Sequence, residues 1–586
     1  MGNSRYIAKR VIVVVNGHLD EESIECLLET GIEVRLRENQ GFDFGAWREV
    51  YFSLTNAEIE EIDEIILCNN SCYGPVFDLS LMWEEMNKRE CDFWGIYEHP
   101  ETAKVPRHIQ SYFLILKKRV ISSSYFKKLL WDLKAARSWK EAVEIETKFT
   151  ILLEHAGFKS DALIKNCPYI DDPSCFLPDY LLEQGSPFLK RKAFTIPHVD
   201  KLEKTFGFAG KRALNWITQK TKYPVENIID DLCHTLPASQ ITQSLQLVIS
   251  LPEGNLFAEE SYEYKVAAIC FSYYEDLIEY NLGYLKNLPN NALVVVVMVN
   301  ESLKKSWENY IYEKDLTKRL RFLFRVQQNR GRNESAYWVT CRDIIENNDF
   351  ICCIHDKKSP KATNKIVGHE WYRHCCDHLL GSSQSVYSIL STFEKNDWIG
   401  LIEPIEPLFE HILETVIAKP WDGNKQEAKE LYKKLKLSIP FDEYPRAPWG
   451  GMFWVRGQAM RALYRHEWKY EDFPEEPLQP NGTLLHALER LYPSLVQEEG
   501  YVTAQVCLSS QIGAYYANLF SIIQNFTNDS LQNFYIETSE SKKHSSYIKK
   551  KAVKAIININ KKERMHYLSE FFQSLKVYCH KKNHKY

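Results

Sequence analysis

The sequence predicts an α/β protein built from two similar halves. Short β-rich apolar runs alternate with helix-length segments, the pattern of strands joined by crossover helices. One stretch, Asn329 to Pro360, reads as a turn (Asn329-Arg330-Gly331), a helix (Glu334 to Glu346) and a strand (Phe350 to Ile354) that ends abruptly in His355-Asp356-Lys357-Lys358. The same succession occurs earlier, between Asn39 and Pro75.

In chain order, Arg10 to Val15 reads as a buried strand ended by Asn16-Gly17, Glu21 to Glu29 as a helix ended by Gly31, and Glu33 to Leu36 as a second strand. Asn39, Gly41, Asp43, Ala46 and Trp47 then match Asn329, Gly331, Asn333, Ala336 and Tyr337 without a gap. Ile65 to Cys68 answers Ile351 to Ile354, and Asn69-Asn70-Ser71 stands where His355-Asp356-Lys357 stands. Asp92-Phe93-Trp94-Gly95 with Glu98 echoes Asp397-Trp398-Ile399-Gly400 with Glu403, and Pro106-Arg107 before Phe113 echoes Pro445-Arg446 before Phe453. Matches in one order over so large a period indicate a duplicated domain rather than a solenoid. The second half opens like the first, with a strand at Lys265 to Cys270, a helix from Tyr274 to Leu288 and a strand from Leu293 to Val299. The expected organisation is a first domain over 1–205, a helical linker over 206–260, a second domain over 261–525 and a tail over 526–586.

Composition bounds the function. The 586 residues are 45% hydrophobic and 26% charged, ordinary for chains that bury full cores. From Ser541 onward 13 Lys and Arg face two acids, a net +11, which leaves the first 540 residues at −16. Basic character confined to the tail argues against nucleic acid as a partner. With its interleaved Tyr547, Ile556, Leu568, Phe571 and Phe572, the tail suits an anionic membrane surface. The longest apolar run, Ala292 to Val299, is too short to span a bilayer. MGNSRYIAKR leads straight into a strand, which predicts no signal peptide, and Tyr6 stands where a myristoylation pattern wants Ser or Thr. The fifteen cysteines form no paired CxxC framework, so structural zinc is not expected and a reducing compartment is.

Polar residues at the carboxyl end of a parallel strand are where an open α/β sheet builds a ligand site. The pattern N-x-G-x-x-x-x-A-aromatic, helix, then strand ending in polar residues resembles the inverting GT-A glycosyltransferases, a Rossmann-type fold. That resemblance makes Asn39, Gly41, Asp43, Asn69 and Asn70 of the first half, and Asn329, Gly331, Asn333, His355, Asp356 and Lys357 of the second, the residues that hold the nucleotide. It implies Mg²⁺ or Mn²⁺ at Asp356, whereas Asn69-Asn70-Ser71, with no acid, implies a first site working without a tightly held metal. A later carboxylate at the start of a helix acts as general base. Glu146, with Phe149, Leu153 and Gly157, fits that frame; in the second half the frame falls on Asn481, with Leu484, Leu488 and Tyr492, and the substitutes at hand are Glu475 and Glu476. Glu98, Glu403 and His108 are expected at the acceptor, and Trp449 before Gly450-Gly451 is expected to stack a sugar face.

The longer phrases ENQGFDFGAW, CNNSCYGP, HIQSYF, NRGRNESAYW, IHDKKSP and NGTLLHALERLYP together resemble the rhamnan synthesis protein F family of bacterial rhamnosyltransferases, over nearly the whole chain. The resemblance implies transfer of L-rhamnose from dTDP-β-L-rhamnose, with inversion, onto a polyprenyl-diphosphate-linked rhamnose polysaccharide. It further implies work beside other polysaccharide-assembly transferases, peripherally on the inner face of the plasma membrane. The alternatives are one active domain beside a degenerate acceptor-binding partner, and a non-catalytic glycan-binding scaffold.

Overall fold

The structure, a computed structural model, describes residues 8–133, 135–254, 264–358, 366–408, 419–479 and 481–539, with side chains through 525. The basic tail lies outside the described residues. The chain divides into two compact units, 1–225 and 226–586, each mixed α/β.

In unit 1 the elements that frame the site are β1 (Ile12–Asn16), α1 (Glu21–Glu29), β2 (Glu33–Arg37), α2 (Phe42–Ser53), β3 (Glu64–Cys68), β4 (Phe93–His99), β5 (Phe113–Lys117), α3 (Trp139–His155) and β6 (Ser160–Lys165). Strands β3, β5 and β4 follow one another antiparallel, and β6 joins β4 in parallel. Helix α2 opens on Gly41 at φ 86°, a left-handed start that glycine adopts at no steric cost. Helix α3 begins where Ser138 accepts from the Glu141 N–H, and the left-handed Gly157 (φ 88°) follows its end. Phe44 of α2 and Phe149 of α3 meet edge to face at 5.2 Å inside the core, each contributing about 1.5–3 kcal/mol by burial.

Unit 2 is built on one eight-stranded sheet. Its strands are β7 (Val248–Leu251), β8 (Val266–Ser272), β9 (Leu293–Met298), β10 (Arg321–Val326), β11 (Phe350–His355), β12 (Ile399–Pro404), β13 (Phe453–Arg456) and β14 (Val502–Leu508). The order is β7-β14-β12-β13-β11-β8-β9-β10. The four strands from β11 to β10 run parallel, while β13 runs antiparallel to both β11 and β12. Between β10 and β11 the left-handed Gly331 (φ 78°) starts α4 (Arg332–Ser335), which passes into a π-helical turn over Ala336–Thr340 and a helix over Arg342–Asn347. The expected single helix is thus broken by one wide turn. A long α5 (Leu484–Glu498) precedes β14 and is followed by the left-handed Gly500 (φ 79°).

The two units share the succession that the sequence repeat implies. Order and directions of β3-β5-β4-β6 recur in β11-β13-β12-β14, down to pairs such as Ile65↔Leu116 and Ile351↔Val455. Their openings differ from expectation. Asn39-Gln40-Gly41 follows the second strand of unit 1, but Asn329-Arg330-Gly331 follows the fourth strand of unit 2, so β1 and β2 correspond to β9 and β10. In unit 2, β8 bridges β9 to β11. Among the described residues unit 1 has no strand in that place, and β1 with β2 forms a separate two-stranded sheet. Exposure follows: the run Ile12 to Val15, expected buried, is only half-buried, whereas Val294 to Val297 are 0% exposed.

Part of the stretch read as a linker also belongs to unit 2. Helices Glu226–Thr235 and Ala238–Leu245 lead into β7, which pairs with β14 at the sheet edge. The final described helix runs from Ile512 to Ser539. Every described cysteine is a free thiol, and no helix among the described residues is long and apolar enough to cross a membrane.

Candidate active site

In unit 2 the site grows from Gly451, just ahead of β13. A Cβ there would lie 2.9 Å from Asn333 Nδ2, 3.5 Å from His355 Nε2 and 3.7 Å from Glu334 Oε1. The end of β11, the start of α4 and the approach to β13 therefore converge within one side chain's width. Glycine is needed both for that closeness and for its φ of 68°. The His355 ring sits between two carbonyls, that of Gly450 against Nε2 and that of Asp356 against Nδ1; burial drops its pKa to about 4, so its single N–H donates to one of them. It is a neutral, fixed imidazole. Lys357 lies over the Trp371 ring at 4.1 Å, and burial lowers its pKa.

Glu489, on α5, faces this group and was not among the residues picked from sequence. It feels the positive charges of Arg490 and Lys357 and bonds to the backbone of Gly450, while burial raises its pKa. One turn earlier on α5, His486 is pushed down to about 4 by burial. The counterpart of Glu489 in unit 1 is Glu146. Each lies eleven residues ahead of a left-handed glycine, Gly157 or Gly500. Three residues on, Phe149 and Tyr492 each reach the residue three past the turn glycine, Phe44 or Glu334. Glu146 accepts from Ser111 N at 2.7 Å and Ser111 Oγ at 2.8 Å, just before β5, as Glu489 meets Gly450 just before β13. The frame that set Asn481 opposite Glu146 is thus displaced by about two helical turns. Asn481 instead bonds to Asp422 and Asn424. Glu475 and Glu476 are ion-paired to Arg330 and Arg332. The signal that locates Glu489 was present in the sequence as a shared distance to a helix-ending glycine.

Glu334 is the second residue that the sequence reading missed. It is 2% exposed, accepts from Asn333 Nδ2 (2.9 Å), Trp338 Nε1 (3.0 Å) and the Tyr492 hydroxyl, and burial raises it to about 7.

Asp356 is 7% exposed and turned into the sheet end. Its Oδ2 accepts from the N–H groups of Tyr273 and Tyr274 and its Oδ1 from Asn281, each at 2.7 Å. Both oxygens are engaged by protein donors, and no three His, Cys, Asp or Glu converge among the described residues. These residues do not fit a divalent cation; Asp356 anchors the β8 and β11 ends.

In unit 1, Asp43 accepts from Asn69 Nδ2 at 2.8 Å, and Asn69 Oδ1 in turn accepts from Ser71 N and Oγ. This joins the start of α2 to the end of β3. Asn39, Asn70 and Asn329 are exposed at their turns. Glu98 is bound by Arg107 Nη1 at 2.6 Å, while His108, 4% exposed, stacks on His99 at 5.0 Å. Glu403 is 0% exposed; Gln505 Nε2 reaches one oxygen at 3.1 Å, and burial raises its pKa well above the ordinary range. Trp449 is 5% exposed beneath the Arg490 guanidinium at 5.1 Å, so its face is covered rather than open to a sugar.

A carboxylate on a helix, facing cations at the carboxyl ends of parallel strands, defines a ligand site of the α/β kind. The family model described as Rhamnan synthesis protein F matches residues 11–501, and the chain belongs to that family. Over 175 residues the chain is 30% identical to "Uncharacterized protein WxcX" of Xanthomonas campestris pv. campestris, in strain B100 and in strain ATCC 33913. That match covers 30% of this chain and spans about a quarter (24%) of those relatives' length.

Proposed function

We propose that the chain is an inverting rhamnosyltransferase with GT-A-like units, moving L-rhamnose from dTDP-β-L-rhamnose to a lipid-linked rhamnose-rich polysaccharide. Membership in a family described by rhamnan synthesis supports the choice of sugar. The observation that carries the chemistry is Glu489, set beside Lys357 and Gly450. In this reading Glu489 takes the proton of the acceptor hydroxyl as that oxygen attacks the anomeric carbon. The bond to the nucleotide diphosphate breaks on the opposite face, and Lys357 with Arg332 meets the departing negative charge. Neutral His355 and the engaged Asp356 hold the strand end still. Glu146, oriented by Ser111, takes the same role in unit 1, so that two sites could lay down two linkages.

The test is release of dTDP from dTDP-β-L-rhamnose in the presence of a rhamnose-primed lipid acceptor. Acceptor-dependent release with anomeric inversion is expected. A full-length protein that binds polysaccharide but releases no dTDP from any acceptor would instead be the glycan-binding scaffold. A single active unit is favoured by one difference: where unit 2 has Lys357, unit 1 has Ser71.

A further inference from the structure

Unit 1 holds a cavity of about 420 Å³ that the proposed chemistry does not use, within the range of small-ligand sites. Gly41, Gly45 and Arg48 of α2 line it, with Trp131 and with Ile145 of α3. The Arg48 guanidinium sits 5.9 Å from the Phe52 ring centre and 5.8 Å from that of Trp131. Its Nε is buried without a hydrogen-bond partner, and among the described residues no ion pair engages it. The two ring centres lie 5.5 Å apart, so both rings flank the guanidinium from one side and its N–H groups are left as the binding side. Neighbouring Arg37, by contrast, is spent: it donates to Glu49, Asn16 and the Gln40 carbonyl. Trp131 is 66% exposed.

The second unit fills the corresponding turn differently. There the connection ahead of the long helix runs over 466–483, against 133–138 in unit 1. The longer segment folds back onto the turn. A Cβ on Gly331 would lie 2.7 Å from Phe473 Cγ, and Arg330 donates to the Phe473 and Glu471 carbonyls. Phe473 thus covers the turn glycine of unit 2, whereas in unit 1 Ala135 lies there, its Cα 3.3 Å from a Cβ built on Gly41. The smaller Ala135 leaves the cavity beside it, which it helps to line.

We propose that this cavity is a carbohydrate subsite, taking a neutral pyranose ring of the polysaccharide chain. The apolar face of the sugar lies on Trp131 and two neighbouring hydroxyls accept from the edge of Arg48. Glu49, which also lines the cavity and whose side chain is 58% exposed, accepts from a hydroxyl and disfavours a phosphate or carboxylate. The choice of sugar rests on the rhamnosyltransferase reading; the cavity's preference for a neutral ring does not.

The test uses the full chain and methyl α-L-rhamnopyranoside as the probe, read by saturation-transfer NMR. Wild-type protein and Glu146→Gln should both give transfer to the sugar, and Trp131→Ala and Arg48→Met should lose it with their melting transitions retained. For a short oligorhamnoside acceptor, KM should rise about tenfold or more in these two variants with kcat nearly unchanged, the mark of lost uniform binding. Arg48→Lys should recover only part of the effect, because a point charge cannot reproduce the guanidinium edge. Unchanged signals and KM in both variants would overturn the subsite, as would displacement of the probe by inorganic phosphate. Probe binding that depends on Trp131 and Arg48 in a protein releasing no dTDP would uphold the subsite and defeat the transferase reading.

Discussion

The Tyr492 hydroxyl, carried on α5, donates to the carboxylate of Glu334 at the start of α4. This joins the helix bearing the proposed base to the turn that begins the repeat. Trp338 donates to the same carboxylate and to Tyr492, and all three side chains are essentially buried. Burial is the largest influence on Glu334 and lifts it from 4.5 to about 7. The folded state therefore holds its proton more tightly than the unfolded chain does, so this contribution to stability is full below pH 4.5 and is lost as pH rises through 7. The span corresponds to roughly 3 kcal/mol. Unit 2 should melt progressively lower between pH 5 and 8, and Glu334→Gln should flatten that slope. A slope unaltered by the substitution would assign the pH dependence to other groups.

Gly451→Ala offers a second test of the site. The added methyl would stand 2.9 Å from Asn333 Nδ2 at a φ of 68°, where an L side chain is strained by about 1–3 kcal/mol. The expected outcome is a modestly lowered melting temperature with a larger fall in turnover, because the displaced group is Asn333, which donates to Glu334. A variant with full activity would show that this convergence is not part of the active geometry.

Much of the sheet was legible because strands buried on both faces write their sequence as unbroken apolar runs, as in Ile351 to Ile354 and Leu293 to Met298. The repeat was legible where glycines are sterically forced, at Gly41 and Gly331, Gly95 and Gly400. What escaped was register along a helix. Leu484, Leu488 and Tyr492 satisfy the same apolar spacing as Phe149, Leu153 and Gly157, and apolar periodicity alone tolerates a slip of two turns. Only the helix-ending Gly157 and Gly500 fix the frame and identify Glu489. Glu334 escaped because a buried carboxyl is recognisable by its donors, and Tyr492 lies far from it in sequence. The half-exposure of Ile12 to Val15 was equally hidden: an apolar run does not say whether a neighbouring strand is there to cover it.

The basic tail yields a prediction from composition alone, since 541–586 lies outside the described residues. At ~1 kcal/mol per Lys or Arg near an anionic surface, its net +11 is ample for salt-sensitive attachment. Cosedimentation with phosphatidylserine-containing vesicles should fall sharply on deleting 541–586, and should weaken with added salt in the full chain. Equal sedimentation of both proteins would place membrane binding elsewhere.

Glu146 and Glu489 allow the two proposed sites to be separated. Each is replaced by Gln, which keeps shape and hydrogen bonding but cannot take a proton. Loss of a general base costs about 10²- to 10⁴-fold, so each single variant should lose one linkage from the product while donor binding stays nearly intact. The double variant should release dTDP at or near the background rate. Ser111→Ala adds a control for Glu146: it removes one of two donors to the carboxylate and leaves the backbone N–H. The remaining base is then less well oriented, and turnover should drop by less than in Glu146→Gln. If Glu489→Gln alone abolishes transfer and Glu146→Gln leaves both product and rate unchanged, unit 2 is the only catalytic unit, and Glu146 serves to hold Ser111 and the approach to β5.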